Sequence, residues 1–112
     1  SCHNFEAMQT AAACPWVDVI LARINMKGGD KAMMDGSVEQ IEGVLRTARA
    51  NGKAVIGMKI FGEGRLAEQR DACMQYAQGN GLLDAMTIGF HKPDQIDDVL
   101  QMMHKYPAKA VV

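Results

Sequence analysis

Two glycine-containing segments carry the residue types from which an anion site is built. Gly62-Glu63-Gly64 follows one apolar run and precedes a helical pattern. Gly89, Phe90, His91, Lys92 and then Pro93-Asp94 do the same after the next run. At such a junction the backbone N–H groups and the positive end of a helix dipole can face an anion. His91 and Lys92 would add side-chain charge there. Lys59 lies inside or at the end of the first of these runs, where an ammonium group needs water, a carboxylate or a ligand phosphate beside it. Each loop also has a plain reading, because glycines often do no more than make turns. Asp94, Asp97 and Asp98 suit the first turns of a helix through dipole complementarity alone.

The remaining reactive side chains form no recognisable set. His3, His91 and His104, with Cys2, Cys14 and Cys73, lack the short paired spacings of a metal site. A Cys2–His91 nucleophile pair is conceivable from loops that follow strands, but nothing in the sequence orients it. Cys73 fits the buried face of a helix, and the methionines read as core filler at helical spacing. Met33-Met34 falls in a loop, where both side chains are expected at the surface.

The elements that must position these residues repeat. Asn4 caps a predicted helix through Phe5, Met8 and the alanines at 11–13, which stops ahead of Pro15. Residues 17–24 are a nearly continuous apolar and β-branched run, as in parallel strands buried on both faces. A loop over 26–36 leads to Ser37 and Gln40, the spacing of a capping box, and Val38, Ile41, Val44, Leu45 and Ala48 then share one helical face. Gly52 stands where a left-handed residue ends a helix. Residues 54–60 form a second predicted strand, 66–78 a helix with Leu66, Cys73, Met74 and Ala77 inward, and 83–88 a third strand. Pro93 opens a last helix with Ile96, Val99, Leu100 and Met103 as its apolar stripe. The order, one helix and then three βα units, predicts an α/β chain with a parallel sheet. Doubly wound sheets and closed barrels both satisfy this pattern, and periodicity does not choose between them.

Composition narrows the function classes. Twelve basic against thirteen acidic residues leave a net charge of −1, so no strong field draws the chain to nucleic acid or anionic lipid. Aromatics make up 5%, too few for a base-stacking platform. No apolar run is long enough to span a membrane. Three scattered cysteines fit reduced thiols, as in a cytoplasmic protein, better than a disulfide framework. A targeting segment upstream of Ser1 would not be visible in this sequence.

Several segments, in order, resemble the aldo-keto reductases. Residues 55–66, Val-Ile-Gly-Met-Lys-Ile-Phe-Gly-Glu-Gly-Arg-Leu, are similar to that family's seventh strand and following loop. Residues 83–100 resemble its eighth strand and cofactor turn, with Ile88-Gly89, Pro93-Asp94-Gln95 and Asp97-Asp98 in the matching places. Residues 18–25 resemble the sixth strand, and Ser1-Cys2-His3 the end of the fifth. The resemblance implies the C-terminal half of a TIM-type (β/α)8 barrel, cut near a strand's end at Ser1. It implies a site for NADP or NAD, a small carbonyl substrate in the complete protein, and catalytic residues in a first half that this chain does not contain. By position it assigns Ser1 to the nicotinamide amide, and Phe61, Gly62, Gly64 and Leu66 to the pyrophosphate loop. Gly89, Phe90, His91, Lys92 and Gln95 would line the turn for the adenosine 2′-phosphate, with Asp98 near the adenine; Lys59, which departs from the family pattern, is expected to compensate as a phosphate ligand. The chain departs from the family pattern at Cys2, Ile24, Lys59, His91 and Val99, which leaves NADP against NAD open. A half-barrel would also expose its apolar inner face, so the alternative expectation is a non-catalytic half that binds a phosphorylated ligand or assembles with a partner half or a second copy.

Overall fold

A computed structural model describes residues 1–109. Its helices are α1 (Phe5–Ala13), α2 (Val38–Ala50), α3 (Arg70–Gly79) and α4 (Pro93–Lys105), and its strands β1 (Val19–Arg23), β2 (Ala54–Met58) and β3 (Ala85–Met86). The expected caps are present. Asn4 Oδ1 accepts from Ala7 N at 2.7 Å, and Ser37 and Gln40 exchange both bonds of a capping box. Gly52 takes φ +80°, the left-handed conformation that releases the chain from α2 toward β2.

The three strands form one parallel sheet in the order β1-β2-β3. Ile20, Ala22, Ile24 and Val55 on one face share a core with Met8 and Ala12 of α1, Ile41, Leu45 and Ala48 of α2, and Ala77 of α3. Val99 and Met102 of α4 pack with Met74 near Met86 and Ile88. All four helices therefore lie on one side, as crossovers of one hand winding in one direction require. The register sets Val19 beside Ala54, and Leu21 beside Ile56 beside Ala85, on the opposite face. No helix covers that face: Val19 and Ala85 are exposed, and Leu21 and Ile56 are half-buried.

Residues ahead of α1 continue the hydrogen bonding. Cys2 N donates to Leu21 O at 3.0 Å. The backbone of Asp18 and Ile24 is bonded to β2, so Leu21, of opposite parity, points to the free edge of β1.

The structure trims several expected elements. β1 spans five residues rather than the whole run 17–24. β2 stops at Met58 because Lys59 adopts φ +59°, which turns the chain out of the ladder. Residues 67–69 form a 3₁₀ turn, so the helix expected from 66 begins at Arg70, with Leu66, Cys73, Met74 and Ala77 buried as expected. The third strand keeps two residues, since the Asp84 carboxylate rather than a ladder carbonyl accepts from Val55 N. In α4 the inward side chains are Val99 and Met102; Ile96 and Leu100 are exposed. Met34 is buried, and its Sδ accepts from Asn25 N at 3.2 Å, contrary to a surface position. No helix among the described residues is long and apolar enough to cross a membrane.

Candidate functional site

The chain leaves β2 and β3 at the same end of the sheet, and a cleft of about 1020 Å³ opens between the two loops that follow them. Parallel strands direct their carboxyl ends, and hence the helix N-termini that follow, to one edge. Met58, Ile60, Phe61, Ile88, Phe90 and Val99 supply apolar walls, while Lys59, Glu63, Arg70, His91 and Asp94, Asp97 and Asp98 bring charge. Of the residues singled out in the sequence, Lys59, Phe61, Gly64, Gly89, Phe90, His91, Gln95 and Asp98 all line this cleft.

Four others lie outside the lining. Ser1 is exposed at the edge of β1, with its Oγ 2.8 Å from His3 Nε2. Gly62 is buried at φ +58°, where an added Cβ would meet Leu66 Cγ at 3.2 Å. Leu66 is itself a core residue, packed with Ala32 and Cys73. Lys92 is exposed beside the cleft and precedes α4.

Several amides of the glycine loops are spent internally, so fewer donors face the cleft than the sequence leads one to expect. Gly62 N bonds Lys59 O, Gly64 N and Leu66 N both bond Phe61 O, and Arg65 N bonds Gly62 O, at 2.9–3.2 Å. In the second loop, Gln95 Oε1 accepts from His91 N at 2.8 Å and from Lys92 N at 3.3 Å. A ligand at either junction would have to displace these bonds or use side chains. Two side-chain ion pairs cross the region. Lys59 Nζ lies 3.7 Å from Glu63 Oε1, and Arg70 Nε lies 2.7 Å from Asp98 Oδ2.

A second polar group stands at the carboxyl end of β1. Arg23 Nη2 is 2.7 Å from His3 Nδ1, and Arg23 Nη1 is 3.7 Å from Asp35 Oδ1. Arginine only donates, so His3 Nδ1 is the acceptor and Nε2 carries the ring proton toward Ser1 Oγ. That tautomer cannot take the serine's proton, which leaves Ser1 without a general base. Cys2 is buried, and burial pushes its thiol above the ordinary range, opposite to what a nucleophile needs. Cys73 is shifted up for the same reason. Among the described residues no cluster of three or more His, Cys, Asp and Glu side chains could hold a metal ion. The arrangement can therefore hold a ligand, and among the described residues the Ser1, Cys2 and Cys73 side chains are not set up as nucleophiles.

Two positions escaped the sequence reading. Asn25 is 1% exposed; its Nδ2 donates to Ala32 O and Lys59 O, and its Oδ1 accepts from Lys27 N and Gly28 N. It ties the loop after β1 to the backbone of Lys59. An asparagine directly after an apolar strand was the available signal. Arg70 had none, since its partner Asp98 is 28 positions away.

Fold and site together define an α/β chain with a ligand-sized cleft at the carboxyl edge of a one-sided parallel sheet. Compared with protein-family models, curated proteins and solved structures, the chain has no significant match.

Proposed function

We propose that this chain is the cofactor-side half of an aldo-keto reductase-like (β/α)8 barrel, whose cleft holds NADP or NAD. The observation that carries this reading is the convergence of two consecutive βα loops on one cleft of about 1020 Å³, lined by most of the residues that the resemblance assigns to the cofactor. That volume is at the upper end of the range for small-molecule and cofactor sites, and the apolar walls offer surfaces for flat rings. The one-sided stacking of helices on a sheet ordered β1-β2-β3 supports a barrel sector. The fit is weaker at the phosphates, where Lys59 and Arg70 would have to leave Glu63 and Asp98 to serve as ligands.

The bound nicotinamide would supply a hydride to a carbonyl carbon in the complete protein, the carbonyl oxygen taking a proton and becoming an alcohol. In this chain the part left to the residues is binding. Phe61 and Phe90 wall the cofactor, Asn25 holds the backbone of Lys59, and no residue here is assigned the proton transfer. The isolated chain is accordingly inactive toward carbonyls.

Direct titration tests the reading. Reduced cofactor added to the purified chain is expected to show enhanced, blue-shifted nicotinamide fluorescence. No change up to millimolar cofactor would overturn it. Trp16 is a poor reporter, because it precedes β1 at the opposite edge of the sheet from the cleft and is 82% exposed.

A second reading has its own support. The uncovered row of Leu21, Ile56 and Ala85, with the exposed Ile96 and Leu100 on α4, suits a half-barrel that assembles with a partner half or a second copy. The plain phosphate site has less support, since several of the loop amides that would form it are bonded within their own turns.

A further inference from the structure

We infer that the uncovered face of the sheet is closed by a second copy of this chain, the two copies joining head to tail into one two-fold barrel. The inference rests on the half-barrel reading, the second one given above, and commits it to an occupant and to a junction between named helices.

The sheet supplies the count. Cys2 N donates to Leu21 O on the free edge of β1, so residues 1–3 mark a fourth ladder position beside the three strands. From there the chain crosses through α1 to the adjacent β1, the connection that parallel neighbours use. Two copies bring eight such positions, the number at which an α/β barrel closes. All of them run one way, so the β3 edge of one copy meets the Cys2 edge of the other in parallel sense. A half-turn repeats that junction and shuts the ring. Two separate copies expose 6533 Å² each, whereas one closed domain of their combined mass, 12.2 kDa from each, exposes roughly 10,000 Å². Closure thus hides about 3,000 Å², the scale of an obligate homodimer rather than of a passing contact.

The helices that flank the two edges carry matching sides. On α4, Asp98 and Lys105 bond Arg70 and Asp71 of α3, while Val99 and Met102 turn inward. At about 100° per residue, Ile96, Leu100 and Met103 then point away from α3, past the β3 edge. Ile96 is 43% exposed and Leu100 50%, an apolar stripe with nothing over it among the described residues. On α1, Met8 and Ala12 turn inward and Gln9 faces α2 across a groove. Ala7 and Ala11 therefore point away from α2, past the Cys2 edge, the first exposed and the second half-buried. Around the closed ring, α4 of one copy lies next to α1 of the other. There the large side chains at 96 and 100 meet the small ones at 7 and 11, pairs with the same four-residue step, as ridge into groove.

Sedimentation equilibrium of the purified chain tests the closure, with Ala7→Glu and Leu100→Lys as separate variants and as a mixture. Both positions are exposed, and a carboxylate in the first turn of α1 suits the helix dipole, so both variants keep the fold, which circular dichroism checks. The mass of the unaltered chain is expected to rise with concentration to two copies and stop there. Each variant alone should associate about tenfold or more weakly, because both junctions then set an unpaired charge against an apolar side chain. An equimolar mixture should associate more tightly than either variant, since one junction is unaltered and the other brings the two opposite charges together. Growth beyond two copies would overturn closure in favour of an open assembly. Association lost in Leu100→Lys but kept in Ala7→Glu, with no recovery on mixing, would overturn the head-to-tail junction and place α4 against α4. A dimer that neither variant weakens would overturn the α4–α1 junction and leave self-association standing. A monomer at every concentration would overturn the second copy as occupant, and the half-barrel reading would then stand only with a different partner half.

Discussion

Asn25 occupies a position where a polar side chain is buried and every one of its bonding groups is used. Two backbone carbonyls, Ala32 O at 2.7 Å and Lys59 O at 3.1 Å, take its amide protons, and two backbone N–H groups donate to its oxygen. Replacing it by alanine strands those four groups in a region that water reaches poorly, at a cost of 1–3 kcal/mol for a group left unsatisfied. Relaxation and partial hydration keep the sum below four such penalties. Asn25→Ala is therefore expected to lower unfolding stability by roughly 2–4 kcal/mol, read as a lower urea midpoint with an unchanged slope. A change under about 0.5 kcal/mol, the usual range for a surface position, would show that the loop after β1 does not depend on this residue. The same side chain bears on the cleft, because it holds the carbonyl of Lys59, a residue kept at φ +59° where lysine is strained. Lys53 is a comparable case with no tie to the site: its buried ammonium donates to Cys14 O and Val17 O at 2.6 and 2.7 Å and fastens the turn before β1 to the end of α2. Neither role could be read in the sequence, since both depend on carbonyls brought near by the fold.

Between elements, the features that were legible are those set by local chemistry. Asn4, the Ser37–Gln40 box, Gly52 and Pro93 mark helix ends because their partners lie within four residues. The strand ends were not legible, because they depend on non-local bonds. β3 is the clearest example. Its apolar run extends from 83 to 88, yet Asp84 interrupts it by sending one oxygen, Oδ2, to both Val55 N at 2.8 Å and Arg49 Nη1 at 2.6 Å. The carboxylate so replaces a ladder bond and clamps α2, β2 and the entry to β3. The Arg49 guanidinium, followed by the Val55 amide, holds the Asp84 carboxyl below its ordinary range. A depressed folded-state pKa means stability that is present above the unfolded value of about 3.9 and is lost as pH falls through the lower folded value. Asp84→Asn removes the charge while keeping an acceptor for Val55. The side chain is 39% exposed, so solvent screening cuts the expected loss at pH 7 to about 1 kcal/mol. Urea midpoints of the two proteins should differ at pH 7 and converge toward pH 3. A gap that stays constant over this window would mean that the clamp does not rest on ionised Asp84.

At the scale of the whole molecule, the decisive asymmetry is that one face of the sheet is covered by four helices and the other by none. Val19, Leu21, Ala54, Ile56 and Ala85 are apolar side chains of the kind that parallel strands bury on both sides, and on this face they are exposed or half-buried. The sequence contained this information in its continuous apolar runs, which call for cover on two faces, whereas the one-sided winding could be drawn only from the strand order. Among the described residues the sheet also ends in two edges that no further strand joins, one at β3 and one at β1, where Cys2 N bonds Leu21 O. An apolar face flanked by open edges favours association over solvation. Sedimentation across micromolar concentrations is expected to show mass increasing with concentration. Leu21→Lys with Ile56→Lys adds two like charges to adjacent strands of that face without touching the helix-side core, and should return the chain to a monomer. A double variant that still associates, while a Leu100→Lys change on α4 abolishes association, would move the contact to the exposed Ile96–Leu100 stripe. A monomer at every concentration would mean that the half-buried rows of the sheet cost too little in water to drive assembly. The cleft lies at the carboxyl edge of this sheet, so whatever closes over Leu21 and Ile56 also walls the space beside Met58 and Lys59. On the cofactor reading proposed above, affinity for the reduced nicotinamide cofactor measured on the associated and the monomeric forms should accordingly differ, the associated form binding more tightly.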